Sequence, residues 1–167
     1  MGRASIKKDK SAYQISREEM GLTREKASDL IGFMSADRIE KIENAKVNVQ
    51  PEDVIALSKC YKAPALCNYY CSNECPIGKE HVPEIKAKDL TQIAIETLNA
   101  LNRMNREKER LLEIVEDGEI TPDEYPDFIS IKKTLDKISL SVDTLQLWVD
   151  QAIADGGISE KIFKPET

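Results

Sequence analysis

Residues that start or stop helices recur at short intervals between positions 11 and 61, and this spacing constrains the fold more than any other feature. Five of them mark the boundaries: Gly21, Thr23, Gly32, Ser35 and Pro51. Thr and Ser are preferred just before a helix, Pro at its first position and Gly just after its end. The segment therefore predicts roughly four or five short helices, with a tight Gly-containing turn between the second and the third.

The rest of the chain is also predicted to be helical. Only 5% of its residues are aromatic, and no run rich in Val, Ile, Thr and Tyr alternates as a strand would. We expect an all-α protein in four parts. Residues 1–62 form a helical bundle, 63–83 a connector that holds the cysteines, 84–157 a long antiparallel helical hairpin, and 158–167 a tail.

Two amphipathic helices are predicted in the hairpin. The first runs from about Glu84 to Glu116, and the second is capped by residues 121–124 and ended by residues 155–157. Their apolar residues step by three and four, the spacing of a coiled-coil seam. The predicted seam consists of Leu90, Ala94, Leu98, Leu101, Lys108, Leu112 and Val115, and of Phe128, Ile131, Leu135, Ile138, Val142, Leu145 and Val149. Leu140, Leu147 and Trp148 fall outside it, and such exposed apolar residues favour a homodimer through residues 84–155.

Two stretches of the first part resemble a known family. Residues 16–27, SREEMGLTREKA, and residues 38–44, RIEKIEN, are similar to the lambda-repressor and Cro (xenobiotic-response-element-like) helix-turn-helix family. The resemblance covers about residues 11–61. It implies a DNA-binding domain whose third helix enters the major groove of double-stranded DNA, with two copies on neighbouring half-sites.

The resemblance also implies which residues meet DNA. The candidates are Thr23, Arg24, Ser35, Ala36, Asp37, Arg38, Lys41, Asn44 and Lys46. Arg38 is expected to bind guanine, because its fork matches the two acceptors of that base, and Asp37 to accept from a cytosine amino group. We expect phosphate contacts from the start of the second helix, from Ser35 and Lys41, and from the loop after the third helix.

Charge is distributed unevenly along the chain. The formal net charge is −6, yet residues 1–62 carry 12 Lys and Arg against 10 Asp and Glu. The part that resembles a DNA-binding domain is therefore the less acidic one. The N-terminal residues lack the apolar core of a signal sequence, and no window is apolar enough to span a membrane. We expect a cytoplasmic protein with no membrane partner.

All four cysteines lie in a short segment, as Cys60, Cys67, Cys71 and Cys75, and His81 follows as a possible substitute ligand. In a reducing compartment such clustering favours metal or redox chemistry over disulfides. The step of four places Cys67 and Cys71 on one helix face. Three alternatives stay open: an iron–sulfur or zinc site, a thiol redox switch, or small residues that only pack.

These features predict a homodimeric, sequence-specific DNA-binding transcriptional regulator, with a possible response to metal or redox state. The alternative is a protein-interaction module, antitoxin-like or an anti-regulator, whose helix-turn-helix has lost DNA. We expect no enzyme and no small-molecule substrate, because the chain has one histidine and lacks a phosphate-binding glycine loop and a nucleophile–base pattern.

Overall fold

The computed structural model describes residues 10–162, and all regular secondary structure in that range is helical. The helices are α1 (Ala12–Glu19), α2 (Arg24–Ile31), α3 (Ala36–Glu43), α4 (Pro51–Cys60), α5 (Ala65–Asn73), α6 (Gly78–His81), α7 (Leu90–Ile114) and α8 (Tyr125–Ala154). A 3₁₀ turn lies at Glu160–Ile162. The all-α prediction is confirmed. None of the described helices is long and apolar enough to cross a membrane.

The chain forms two compact units. Among the described residues, the first unit contains 10–85 and 149–162, and the second spans Lys86–Trp148. The four parts predicted from the sequence, with boundaries after residues 62, 83 and 157, remain a prediction about domain organisation.

One capping pattern starts the first three helices. Ser11, Thr23 and Ser35 each accept a hydrogen bond from the backbone N–H three residues later. Each such cap is worth about 1 kcal/mol. Pro51 begins α4, where its missing N–H costs nothing. The helix starts predicted at Thr23, Ser35 and Pro51 are confirmed.

The core of the first unit joins α1–α4 to α5. Its buried hydrophobic residues are Tyr13, Ala27, Met34, Ile39, Ile42, Val54, Leu57, Tyr61 and Leu66. Leu66 lies on α5, within the segment predicted as a connector, and is only 3% exposed. The cysteine-bearing segment is therefore packed on the bundle through at least this side chain.

Gly78, at the start of α6, lies directly against the backbone of α5. A Cβ atom added there would be 2.0 Å from the carbonyl oxygen of Cys71. Because that obstacle is backbone, a larger residue must push the two helices apart.

We expect Gly78→Ala to lower the free energy of unfolding by about 1–3 kcal/mol, the usual cost of overpacking. Gly157→Ala is the matched control, because its added Cβ would meet the nearest atom at 3.5 Å, an ordinary contact. Urea unfolding of both variants measures the difference. Equal stabilities would show that α6 shifts without cost.

The first long helix begins later than the predicted Glu84, at Leu90. Asp89 caps it by accepting from the Gln92 N–H at 2.9 Å. Before the cap, Asn68 holds the chain in a non-helical path: its amide donates to the Pro83 carbonyl and accepts from the Ile85 N–H. This contact keeps residues 83–85 out of a helix, and the Asp89 cap then sets the start of α7 at Leu90.

α7 and α8 form the predicted hairpin, but the residues between them differ from the predicted seam. The buried residues of this unit are Ile93, Ala100, Ile114, Ile131, Thr134, Ser141 and Thr144. Only Ile131 among them belongs to the predicted seam. At least 40% of the side chain is exposed for Leu90, Leu98, Leu101, Leu112, Val115, Leu135, Val142 and Leu145. Leu140, Leu147 and Trp148, predicted to be exposed, are half-buried instead.

Polar contacts bridge the two helices on one side of the hairpin. Arg110 Nε donates to Asp127 Oδ2 at 2.7 Å, and Arg103 donates to the Ser130 hydroxyl at 3.0 Å. Glu107 accepts from Arg103 at 3.0 Å and from Ser130 at 3.3 Å. This flank of the hairpin is called the polar side below. The positions of the exposed residues are given relative to it.

Candidate nucleic-acid interface

The orientation of α3 is fixed by its buried face. Ile39 and Ile42 are at most 2% exposed and lie in the core of the first unit. The opposite face therefore points outward: Asp37 and Lys41 are exposed and Arg38 is partly exposed. Among the other predicted contacts near this helix, Ser35 is exposed and Ala36 half-buried.

Two residues, Gly32 and Met34, define the turn before α3. Gly32 ends α2 with φ of 83°, a value that residues with a Cβ rarely adopt. Met34 is buried at 1% exposure, so the turn is held against the core just before Ser35. The start of α3 is therefore packed against the core of the first unit.

Thr23 and Ser35 use their hydroxyl oxygens as helix caps. Thr23 Oγ1 accepts from the Lys26 N–H, and Ser35 Oγ accepts from the Arg38 N–H, each at 3.2 Å. A hydroxyl that accepts a hydrogen bond still has its own proton to donate. Ser35 can therefore cap α3 and donate to a phosphate oxygen, beside a helix N-terminus that also favours an anion. The Thr23 hydroxyl already hydrogen-bonds the Glu25 carboxylate.

A buried ionic cluster ties α3 to α1 and α2. Glu43, whose side chain is fully buried, accepts from Arg17 Nε at 2.6 Å and from Arg17 Nη2 at 3.1 Å. It also accepts from Arg24 Nε at 2.9 Å. Burial disfavours the charged guanidinium of Arg17, but the hydrogen bond and charge of Glu43 outweigh it and raise the pKa. Arg24, a predicted phosphate contact, is thus oriented by Glu43.

Arg38, the predicted guanine contact, forms an ion pair with Asp53 of α4. Arg38 Nε donates to Asp53 Oδ1 at 3.0 Å, and Arg38 Nη2 donates to Asp53 Oδ2. Asp53 also accepts from the Gln50 N–H at 3.1 Å. Burial acts to raise the pKa of Asp53, but the bonds from Arg38 and Gln50 outweigh it and lower the pKa.

The remaining predicted cations are paired too. Lys41 lies 2.7 Å from Asp37 on the same helix, and Lys46 lies 3.6 Å from Glu40. The Asn44 amide donates to the Glu40 backbone carbonyl at 2.8 Å. Every Lys and Arg predicted to meet DNA, namely Arg24, Arg38, Lys41 and Lys46, therefore has an anionic partner in the free chain.

Two members of these ionic contacts were missed from the sequence. Arg17, which pairs with Glu43, and Asp53, which pairs with Arg38, were not predicted as site residues. Their partners lie 26 and 15 positions away, so no local pattern identifies them. The only signal in the sequence is a charged residue on a helix whose other side is apolar.

The four cysteines lie between the end of α4 and the residues after α5, and all are half-buried free thiols. Burial raises the pKa of Cys60. Burial, followed by the neighbouring Cys75 and Cys67, raises that of Cys71. Both thiols are therefore mostly protonated at neutral pH, which slows their reaction with oxidants. Within residues 10–162, no three His, Cys, Asp or Glu side chains are grouped to hold a metal ion, and exposed His81 ends α6.

Comparison with known proteins finds a family match for one segment of the first unit, residues 15–65. Residues 15–65 match the family model described as helix-turn-helix. This part of the chain is a helix-turn-helix domain of the lambda-repressor and Cro type, a DNA-binding class, as the sequence predicted. No curated protein and no solved structure matches the chain significantly.

Proposed function

We propose that the protein is a cytoplasmic, homodimeric transcriptional regulator, rather than an enzyme, and that it reads a specific sequence in double-stranded DNA with α3. The observation that carries the proposal is the exposed first turn of α3, in which Asp53 orients the side chain of Arg38. A recognition helix contacts base edges through the residues of this turn. Thr23, Arg24, Asn44 and Lys46 would contact the phosphates on either side.

The Arg38–Asp53 pair suits a base contact. Asp53 occupies one edge of the guanidinium, while 39% of the Arg38 side chain stays exposed. The N–H groups that do not face Asp53 remain free to donate to the O6 and N7 acceptors of guanine. Because Asp53 restricts the rotamers of Arg38, less side-chain entropy is lost when the contact forms.

We expect Arg38→Ala to weaken binding to the preferred site by about 5- to 150-fold, the cost of one bidentate base contact. Asp53→Asn is the matched control. It breaks the same ion pair but keeps the guanidinium, so this variant should lose only the orienting effect of Asp53 and should bind much more tightly than Arg38→Ala. The measurement is fluorescence anisotropy on duplexes selected from a random library, with circular dichroism to verify that both variants fold. Unchanged affinity in Arg38→Ala would remove the base contact assigned to this residue.

The paired cations favour a modest salt dependence. Each phosphate contact contributes a slope of about −0.9 to the logarithm of affinity against the logarithm of salt concentration. Before it can contact a phosphate, each predicted cation of this domain must give up or share its carboxylate partner. Sequence-specific binding therefore depends strongly on the base contacts and shape of the site, and unrelated DNA should bind weakly.

The homodimer is proposed from the exposed residues of the hairpin. On α7, Leu90, Leu98, Leu101 and Leu112 form a stripe that lies about 100° around the helix from the buried Ile93 and Ala100. On α8, Leu135, Val142 and Leu145 form a second stripe. The two stripes are called the apolar face below.

Both stripes occupy the same flank of the hairpin. Around the axis of each helix, the residues of the polar side lie to one side of the buried residues. Arg103 on α7 and Ser130 on α8 are examples, and they contact each other. Each apolar stripe lies to the other side of the buried residues. The stripes therefore form one continuous surface opposite the polar side. A second hairpin that covers this surface gives a four-helix arrangement and supplies the two recognition helices for neighbouring half-sites.

A response to metal or redox state through Cys60, Cys67, Cys71 and Cys75 stays a prediction. The test is the absorption spectrum and metal content of protein purified without oxygen. Stoichiometric iron that is lost in Cys71→Ser would make the chain a cluster-based sensor, and stoichiometric zinc would indicate a structural clamp. A folded, metal-free dimer that is unaffected by oxidants would leave the cysteines as packing residues.

One observation favours the second candidate function, an antitoxin-like or anti-regulator module. α3 carries Asp37, Glu40 and Glu43, and each predicted cation near it is already paired. Coelution with one protein partner, together with no affinity for any selected duplex, would support this candidate. Salt-dependent binding to a pseudo-palindromic site supports the regulator.

A further inference from the structure

A groove of about 620 Å³ opens on the polar side of the hairpin, with all of its lining residues in the second unit. Its floor is formed by Ala100, Ser141 and Thr144, each at most 7% exposed. The buried residues nearer the hairpin turn are the larger Ile114 and Ile131. The groove exists because small side chains occupy the middle of the seam, and its volume is in the range of small-molecule sites.

Positive charge is concentrated at the rim of the groove. Arg103 and Arg106 of α7 and Lys137 of α8 line it, against a single acidic residue, Glu96. The second unit as a whole is acidic, with 9 Lys and Arg and 13 Asp and Glu between residues 86 and 148. The groove therefore has the opposite charge balance to the unit that contains it.

The charges of the groove are not equally available to a ligand. Arg103 is bound by Glu107 and Ser130, and Glu96 is paired with Lys88. Arg106 and Lys137 have no ion pair within the described part of the chain. Two unpaired cations on opposite helices thus face one groove, where they can bind the same anionic group.

The rest of the lining suits the organic part of a ligand. The hydroxyls of Ser141 and Thr144 donate to the carbonyls of Lys137 and Leu140, and their lone pairs remain free to accept. Leu140 forms an apolar wall, and Asn99 and Asn102 add amide groups at the rim. Polar small residues weaken a helix seam that larger apolar residues would stabilise, and such local costs are typical of functional sites.

We propose that this groove binds a small organic anion, whose carboxylate or phosphoryl group is held between Arg106 and Lys137. The site lies on the flank opposite the apolar face, so it stays open in the proposed dimer. It does not depend on DNA binding, because every residue that forms it belongs to the hairpin.

The experiment is an amide NMR titration of the full chain with citrate, inorganic phosphate and adenosine 5′-monophosphate, at constant ionic strength. We expect saturable shifts for at least one of these anions, confined to residues 96–106 and 137–144. Arg106→Gln/Lys137→Gln should weaken that binding by about 10- to 100-fold, since it removes two charge-assisted contacts. Lys132→Gln/Lys133→Gln is the matched control, because it removes the same charge from α8 outside the groove and should bind as the wild type does.

The pattern of saturation separates the two ligand chemistries. Saturation by citrate alone assigns a carboxylate, and saturation by either phosphate compound assigns a phosphoryl group. The proposal is overturned if no anion saturates, or if both double variants weaken binding equally, since the second result would mean general attraction by the hairpin charge. Loss of DNA binding in a separate assay would not alter either conclusion.

Discussion

Replacing Glu43 with glutamine is expected to lower the free energy of unfolding of the first unit by about 3–5 kcal/mol, the cost of breaking a buried ion pair by removing one partner. Arg17 has only 8% of its side chain exposed, so its charge stays buried with one acceptor lost. Arg24 loses the same anion. Urea unfolding, with comparison of midpoints at unchanged slope, measures the effect.

Two further variants decide whether the unpaired charge is the cause. Asp37→Asn breaks the exposed pair with Lys41 and should change stability by less than about 0.5 kcal/mol. Arg17→Met/Glu43→Met removes both buried charges and should recover much of the loss. A Glu43→Gln protein that loses less than 1 kcal/mol, or a double variant less stable than the single one, would contradict this account.

Helix boundaries with a local cause could be predicted from the sequence. The caps at Thr23 and Ser35 and the start of α4 at Pro51 depend only on residues within one helical turn. The end of α8 before Gly156 has the same origin. Neighbouring residues determine these features in any helical protein, so the pattern alone was sufficient.

Boundaries and contacts with a distant cause could not be predicted. Asn68 delays the start of α7 through bonds to residues 83 and 85, and Arg17 reaches Glu43 over 26 positions. The partner of Arg38 is likewise on another helix, so the sequence identified the candidate contact but not the carboxylate that orients it. Such pairs exist only once the fold has brought the helices together.

The seam of the hairpin shows why periodicity alone is ambiguous. The predicted series that starts at Leu90 steps by three and four, and the buried residues Ile93, Ala100 and Ile114, about seven and 14 positions apart, fit the same heptad repeat. The sequence favoured the more apolar series for the contact between α7 and α8. The structure instead places much of that series on the surface, where its burial requires another partner.

If the proposed dimer forms, introducing Glu at both Leu98 and Leu112 is therefore expected to convert it to a monomer. This change should weaken operator binding by about 10²–10⁴-fold, the usual gain from linking two binding events. The two side chains are 60% and 67% exposed in the single chain, so the hairpin itself should fold normally. In a dimer across the apolar face, each new carboxylate would lose its water opposite leucine. Sedimentation velocity at micromolar concentration and anisotropy on the selected duplex measure the two effects.

Ile95→Glu/Ile129→Glu is the control that separates burial in a dimer from charge in general. These isoleucines are 54% and 50% exposed, on the same two helices, but their positions fall outside the apolar face. This variant should remain dimeric and bind its site normally. If instead the Leu98/Leu112 variant stays dimeric, the interface lies elsewhere on the chain. If it becomes monomeric with unchanged affinity, one helix-turn-helix domain is sufficient for recognition, because DNA binding then does not need the second copy.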